Sequence, residues 1–234
     1  MSQSKAQSAA VLTPLLAGAV ELPGQTVPAN TKEEADKLAA VLTSGAGQKE
    51  KADACRGLAL IGSKDAVPAL SALLADEKLS HMARYALEPI PDPAVDEALR
   101  GALGKLKGRP LVGVIGSIGV RRDAKAVEPL AKLLGDPDAD VVRTAAKALG
   151  RIGTPEAGKL LLEKLAAAPA ADPKGTPPAV ADACLSCAEA FLAQGKPAEA
   201  AAIYERVAKA DLPRHFRVAA AHGLILTRQP AGTR

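Results

Sequence analysis

Residues 136–157 read DPDADVVRTAAKALGRIGTPEA, and this stretch decides the fold. Leu149 and Ile152 follow a run of small residues and lie three positions apart, which places both on one face of a helix. Thr154 and Pro155 then place a capping residue directly before a proline at the first position of a new helix. The stretch therefore predicts a helix, a tight turn and a second helix.

The same helix ending occurs four times along the chain. Each copy has Leu or Ile, then Ile three residues later, then Gly or Pro, an acidic residue and Ala. The copies are LALIGSKDA (58–66), LEPIPDPA (87–94), IGSIGVRRDA (115–124) and LGRIGTPEA (149–157). Their leading residues are 29, 28 and 34 positions apart. A period near 30 residues with two helices indicates an α-solenoid, because stacked hairpins bury the apolar faces that a single hairpin leaves exposed.

The unit at 136–157 resembles a HEAT repeat, in the short form also called HEAT-like or armadillo-type. The matching residues are Asp140, Val141, Arg143, Ala145, Ala146, Leu149, Gly150, Ile152 and Gly153. The resemblance extends over about residues 31–167, and the earlier units depart from it with Ala52 and His81 at the Arg position. It implies an all-α solenoid of stacked antiparallel helix hairpins, in which the second helices line a concave face.

Composition favours the same fold class. The 234 residues are 48% hydrophobic but only 2% aromatic, with no Trp. β-sandwiches and barrels are rich in aromatic and β-branched residues, so a chain dominated by Ala and Leu favours helices. The 30 basic and 26 acidic residues leave a net charge of +4. So small an excess argues against a nucleic-acid-binding protein, which usually carries a concentrated basic field.

Beyond the repeats the composition changes. Residues 168–178 are rich in Pro and Gly and are predicted to form a linker. Residues 179–228 are predicted to form a helical hairpin and a final helix, followed by a polar tail at 229–234. The hairpin resembles one tetratricopeptide unit, without that family's leading Trp. The matching residues are Ala188, Gly195, Glu199, Ala200, Tyr204 and Ala208.

Residues 1–30 are predicted to form an N-terminal arm or a signal segment. Residues 9–20 are apolar and follow Lys5, but the segment has a single basic residue and is interrupted by Pro14. We expect a cytoplasmic protein, or an exported or periplasmic one if Met1 to Ala19 is a signal peptide. No apolar run reaches the length of a membrane span.

No motif predicts catalysis, a metal or a cofactor. Cys184 and Cys187 form a CxxC in a helical context, where two small apolar side chains on one face of a packed helix are the simpler interpretation. His215 and His222 are separated by six residues, outside the usual zinc-ligand spacing. We therefore expect no enzyme, no metal and no cofactor.

Gly113, Gly116 and Gly119 recur every third residue and form a bare helix face. Glycine inside a helix costs about 1 kcal/mol relative to alanine, so three of them require a steric reason. Close helix packing and a flat contact surface for a partner both supply one.

One surface stripe is basic in the repeat register. Arg143, Lys147 and Arg151 follow each other at intervals of four residues, on the side of their helix away from Leu149 and Ile152. The observed spacings transfer this stripe to the earlier units. The residues obtained are Arg56, His81, Tyr85 and Arg109, alongside Ala52, Leu60, Pro89, Gly113 and Ser117. None of these residues is acidic.

The stripe predicts a mildly basic groove that binds an acidic or carboxylate-bearing segment of another protein, with Tyr85 as its anchor. An ordinary solvated face remains the alternative interpretation. The favoured function is thus a non-catalytic scaffold or adaptor. Two rivals follow from the resemblance alone, a HEAT-like bilin lyase or chaperone and a DNA-binding HEAT-like solenoid.

Overall fold

The computed structural model describes residues 31–167 and 176–229. These residues form twelve α-helices and no strand. The helices are α1 (Thr31–Thr43), α2 (Gln48–Ile61), α3 (Val67–Ala72), α4 (Ser80–Leu87), α5 (Pro93–Leu103), α6 (Gly108–Arg121), α7 (Val127–Leu133), α8 (Ala139–Ile152), α9 (Pro155–Ala167), α10 (Thr176–Ala193), α11 (Pro197–Lys209) and α12 (Arg214–Thr227). The all-α prediction is confirmed. No helix in the described ranges combines the length and apolarity needed to cross a membrane.

Side-chain oxygens cap the start of three helices, including the predicted cap at Thr154. Asp92 accepts a hydrogen bond from the Ala94 N–H at 2.9 Å, and Asp138 accepts one from the Asp140 N–H at 2.8 Å. Thr154 accepts one from the N–H two residues after Pro155, at 3.2 Å. Each cap satisfies a backbone donor that the first helical turn leaves unpaired.

Consecutive helices pair into hairpins, and the hairpins stack into two layers. The first helices, α1, α3, α5, α7, α9 and α11, form one layer, and the even-numbered second helices form the other. From α2 to α10 the second helices contact one another much more extensively than the first helices do, above all α6 with α8 and α8 with α10. We call the layer of second helices the inner layer, because the resemblance to HEAT repeats implies that these helices line the concave side.

Glycines allow this close approach. A Cβ atom on Gly119 would lie 2.8 Å from the Ala148 Cα of the neighbouring helix, and one on Gly150 would lie 2.6 Å from the Ala183 carbonyl oxygen. Of the three glycines spaced along α6, Gly119 therefore serves helix packing, whereas Gly116 has no atom within 4 Å of its Cβ position. Close packing, one of the two explanations offered by the sequence, therefore holds for Gly119 but not for Gly116.

The repeat register taken from the sequence is wrong by one helical turn in α6. Helices α6 and α8 end in the same left-handed conformation, at Arg122 (φ 54°) and Gly153 (φ 61°), which are 31 residues apart. Ile118, not Ile115, therefore occupies the position of Leu149. Both isoleucines are fully buried. The apolar pattern therefore fits two alignments of α6 with α8 that differ by one turn, and the position of the helix end decides between these alignments.

The predicted linker at 168–178 ends earlier than expected, because α10 begins at Thr176. Pro177 and Pro178 lie in its first turn, where a missing backbone N–H breaks no helical hydrogen bond. Helix α10 packs on both α8 and α9, so it is the second helix of the fifth hairpin and the stack continues past residue 167. A turn at Gly195 (φ 71°) then joins it to α11, as predicted for the helix–turn–helix. The predicted arm at 1–30 and most of the tail lie outside the described residues.

Arg121 ties three helices together. Its guanidinium donates to the backbone carbonyls of Glu88 (2.9 Å), Ile90 (2.7 Å) and Asp92 (3.2 Å), which follow the end of α4. It also pairs with both carboxylate oxygens of Asp96 on α5, at 2.5 and 3.1 Å. Since Arg121 lies at the end of α6, these bonds hold α4, α5 and α6 in one arrangement.

A matched pair of glycine substitutions tests the packing of the inner layer. Gly119→Ala should lower the free energy of unfolding by about 1–3 kcal/mol, because the new methyl group overlaps the neighbouring backbone. Gly116→Ala should raise it by up to about 1 kcal/mol, because alanine favours the helix and its methyl group meets open space. Chemical denaturation measures both. A loss of stability in both variants would contradict the assigned faces of α6.

Arg121→Met keeps an unbranched apolar stem in place of the aliphatic part of arginine but removes every donor. We expect a loss of about 2–4 kcal/mol in the free energy of unfolding, because Asp96 and three carbonyls lose their partner. Arg122→Met, on the exposed neighbour, is the control and should change stability by less than about 0.5 kcal/mol. Equal effects in the two variants would show that the bonds of Arg121 do not hold the three helices.

Candidate partner-binding face

The predicted binding residues all lie on second helices, and all are exposed. They are Arg56 on α2, His81 and Tyr85 on α4, Arg109 on α6, and Arg143, Lys147 and Arg151 on α8. With the corrected register, six of the seven occupy equivalent positions. Arg109 lies one turn before these positions, at the level of Asp140 in α8.

The corrected register defines what we call the inner face. It consists of three equivalent positions at each of four second helices. These are Ala52, Arg56 and Leu60 on α2, His81 and Tyr85 on α4 with Pro89 in the turn directly after it, Val112, Gly116 and Val120 on α6, and Arg143, Lys147 and Arg151 on α8. Ser117, which the sequence placed on this face, is buried and donates a hydrogen bond to the Glu88 carboxylate at 2.7 Å. Its burial confirms the one-turn error.

The inner face is more apolar than the sequence indicated. Leu60 is 84% exposed, Tyr85 56% and Val120 51%. The described residues contain only five exposed large apolar side chains, and these three lie on the inner face. Sequence reasoning missed Val120 because the register was wrong. Exposed apolar side chains that cluster with polar neighbours mark binding surfaces more often than scattered ones do.

Two of the arginines have acidic partners that lie outside the stripe. Arg56 pairs with Asp53 and Arg143 pairs with Asp140, each one turn earlier on the same helix. Such solvent-exposed pairs are worth about 0–1 kcal/mol, so a partner's carboxylate can replace the aspartate at little cost. Lys147 and Arg151 form no ion pair with any residue of the described ranges. The uncompensated positive charge of the inner face therefore lies on α8.

Arg84 is a cation that sequence reasoning missed. Its guanidinium lies over Gly113, where any side chain on α6 would overlap it. The Nε atom is buried and finds no hydrogen-bond partner among the described residues. Burial lowers the pKa of Arg84, and the negative charge of Glu88 opposes that shift. The signal in the sequence was Gly113 itself, which leaves room at the seam between α4 and α6 for a long side chain.

The cysteines are buried rather than reactive. Cys55, Cys184 and Cys187 are free thiols with no exposed surface. Burial raises the pKa of Cys55 to about 11 and that of Cys187 to about 12. Burial, with a smaller contribution from Cys187, also raises the pKa of Cys184 to about 12. The CxxC side chains are therefore part of the packed interior of α10, as the apolar interpretation predicts.

Residues 111–175, which span α6 to α9, match the family model for HEAT repeats. The chain is a HEAT-like repeat protein. The match includes the unit at 136–157 from which the repeat was predicted, and it begins within α6, the helix whose register the sequence misjudged. Among curated proteins, none matches this HEAT-like chain.

Several solved structures are similar to this chain at low sequence identity. An engineered protein is 21% identical, with a TM-score of 0.47 and coverage of 83% of this chain and 96% of that one. The CpcE–CpcF complex of phycocyanin lyase from Nostoc sp. is 22% identical, with a TM-score of 0.41 and coverage of 83% and 76%. Human deoxyhypusine hydroxylase in complex with glycerol is 16% identical, with a TM-score of 0.40 and coverage of 84% and 96%. At these scores the similarities carry no inference about the function of this HEAT-like protein.

The raised thiol pKa values predict slow chemical modification. The thiolate is the nucleophile, and each unit added to the pKa lowers its fraction about tenfold. At pH 8 the folded protein should therefore react with Ellman's reagent at least about a hundredfold more slowly than the protein unfolded in guanidinium chloride, in which all three thiols should react. Rapid reaction of the folded protein would contradict the buried positions of these side chains.

Proposed function

We propose that this HEAT-like repeat protein is a non-catalytic scaffold whose inner face binds an acidic, amphipathic segment of another protein. One observation supports this proposal above the others. The exposed apolar side chains Leu60, Tyr85 and Val120 share a face with the unpaired cations Lys147 and Arg151. Neither an ordinary solvated surface nor a purely electrostatic one requires that combination.

The two halves of the inner face have different roles in this proposal. Helices α2, α4 and α6 supply apolar area, with Tyr85 as an anchor that combines a large ring and a polar hydroxyl. Helix α8 supplies Lys147 and Arg151, and Arg151 suits bidentate contact with a carboxylate. Contact with the apolar half contributes affinity, while the positive charges of α8 select a negatively charged ligand and set its orientation.

Local geometry supports a ligand that lies along the face. Gly116, in the middle of α6, has no side chain, so the surface is recessed there between Tyr85 of α4 and Lys147 of α8. At the seam beside Tyr85, the half-buried side chain of Arg84 adds positive charge. Arg56 and Arg143 are held by aspartates on their own helices until a stronger acceptor replaces them. A continuous segment that crosses α2, α4, α6 and α8 makes use of all these features.

A designed peptide tests the proposal. The probe is a fluorescein-labelled peptide of alternating Glu and Leu residues, followed by fluorescence anisotropy. Its two matched peptides replace every Glu by Lys or every Leu by Ser. We expect the Glu/Leu peptide to bind most tightly, and the double variant Lys147→Glu/Arg151→Glu to weaken it at least about tenfold, because two attractive contacts become repulsive.

A charge-matched control separates a local effect from a change in net charge. Lys125→Glu/Lys132→Glu makes the same charge change on the outer layer, at and just before α7, and should leave the affinity unchanged. Tyr85→Ala should weaken the Glu/Leu peptide but not the Glu/Ser peptide. Equal losses in the two double variants, or equal binding of the Glu and Lys peptides, would overturn the proposal.

A further inference from the structure

The inner layer opens near its C-terminal end. Helix α10 packs closely on α8, but it contacts α12 much less, because α12 packs mainly on α11. The opening between α10 and α12 is a pocket of about 290 Å³. Its volume lies at the lower limit of the roughly 300–1,000 Å³ typical of sites for drug-sized ligands. The pocket therefore suits a single long side chain.

The walls of this pocket are apolar, and its polar groups converge from three helices. Leu185 and Leu192 of α10 and Leu226 of α12 supply the walls. Glu189 comes from α10, Tyr204 from α11 and His222 from α12. An apolar enclosure with a few convergent polar groups is the usual composition of a binding site.

Tyr204 is a buried residue in the lining of this pocket. Its side chain is only 3% exposed, and its ring lies against Gly223, where any Cβ atom would overlap it. No described residue forms a hydrogen bond with its hydroxyl group. Burial, with a smaller contribution from the charge of Glu189, raises the pKa of Tyr204 to about 12, so the phenol is neutral at physiological pH. The hydroxyl can therefore accept a hydrogen bond from a ligand that enters between the two helices.

Glu189 gives the pocket a negative charge. It is exposed, and within the described ranges no cation pairs with it. Asp182, a second exposed acid, lies two turns earlier on the same face of α10. The charge of the exposed side chains on the inner layer thus changes from positive on α8 to negative on α10. A cationic group is the complement of the pocket, and an anionic group is excluded from it.

We propose that the pocket between α10 and α12 binds a lysine or arginine side chain of a partner protein. The aliphatic part of that side chain packs against Leu185, Leu192 and Leu226, and its charged end reaches the Glu189 carboxylate. The Tyr204 oxygen accepts one of its N–H groups. This site differs from the inner face in position and in charge, so it does not depend on the function proposed above. If both sites bind one partner, its segment is acidic across α8 and basic at α10.

The composition of the chain provides a spectroscopic reporter. The protein has two tyrosines and no tryptophan, so Tyr85→Phe leaves Tyr204 as the sole source of tyrosine fluorescence. The probe is n-butylguanidinium, compared with n-pentanol and hexanoate at equal ionic strength. We expect n-butylguanidinium to change the Tyr204 fluorescence saturably and to bind at least about fivefold more tightly than either comparison compound.

Two substitutions on α10 test whether Glu189 causes the preference of the pocket for a cationic compound. In the Tyr85→Phe background, Glu189→Gln should abolish the preference for the cation while leaving n-pentanol binding unchanged. Asp182→Asn removes the same charge two turns away and should retain the preference. Circular dichroism confirms that both variants fold.

Three results would overturn the proposal. They are the absence of a saturable change, equal affinities for the cationic and neutral compounds, and equal effects of the two substitutions. Removal of residues 230–234 tests a further occupant, since this segment contains Arg234. Cation binding seen only after that removal would assign the pocket to this segment instead of a partner.

Discussion

The close approach of the second helices is the constraint on which the rest of the structure depends. Gly119 lies against the backbone at Ala148, and Gly150 lies against the backbone at Ala183, so at these two points no side chain separates α6 from α8 or α8 from α10. Protein interiors tolerate little overlap, so these contacts determine both the spacing and the relative level of the helices. The outward side chains of neighbouring helices consequently fall into rows, and the inner face is the set of these rows.

Charge and apolarity are distributed unevenly along that layer. Helices α2, α4 and α6 present Leu60, Tyr85 and Val120. Helix α8 presents basic side chains, and α10 presents Asp182 and Glu189. A partner that lies along the solenoid therefore meets an apolar region, a basic region and an acidic region in order. Such an order defines a direction for the bound segment as well as a composition, which a uniformly charged surface would not do.

The sequence allowed the helices, the two-helix period and most caps to be predicted, because these depend on local spacing. It misplaced α6 because Ile115 and Ile118 are both apolar and one turn apart, and either satisfies a repeat pattern. The end of the linker was misplaced because prolines indicate a break, although they are also accepted in a first helical turn. Arg84 and the pocket around Tyr204 were missed because each depends on a glycine of another helix, at Gly113 and Gly223.

The sequence by itself determined that this protein is an all-α stack of HEAT-like hairpins and that its buried and exposed positions alternate with helical period. Those properties follow from residues within one or two turns of each other. Only the tertiary structure decided which exposed residues lie side by side, how deep Arg84 and Tyr204 are buried, and where the layer opens. The reason is that contacts between residues about thirty positions apart set the axial position of one helix relative to the next. A shift of one turn along the axis gives every exposed residue different neighbours on the adjacent helix.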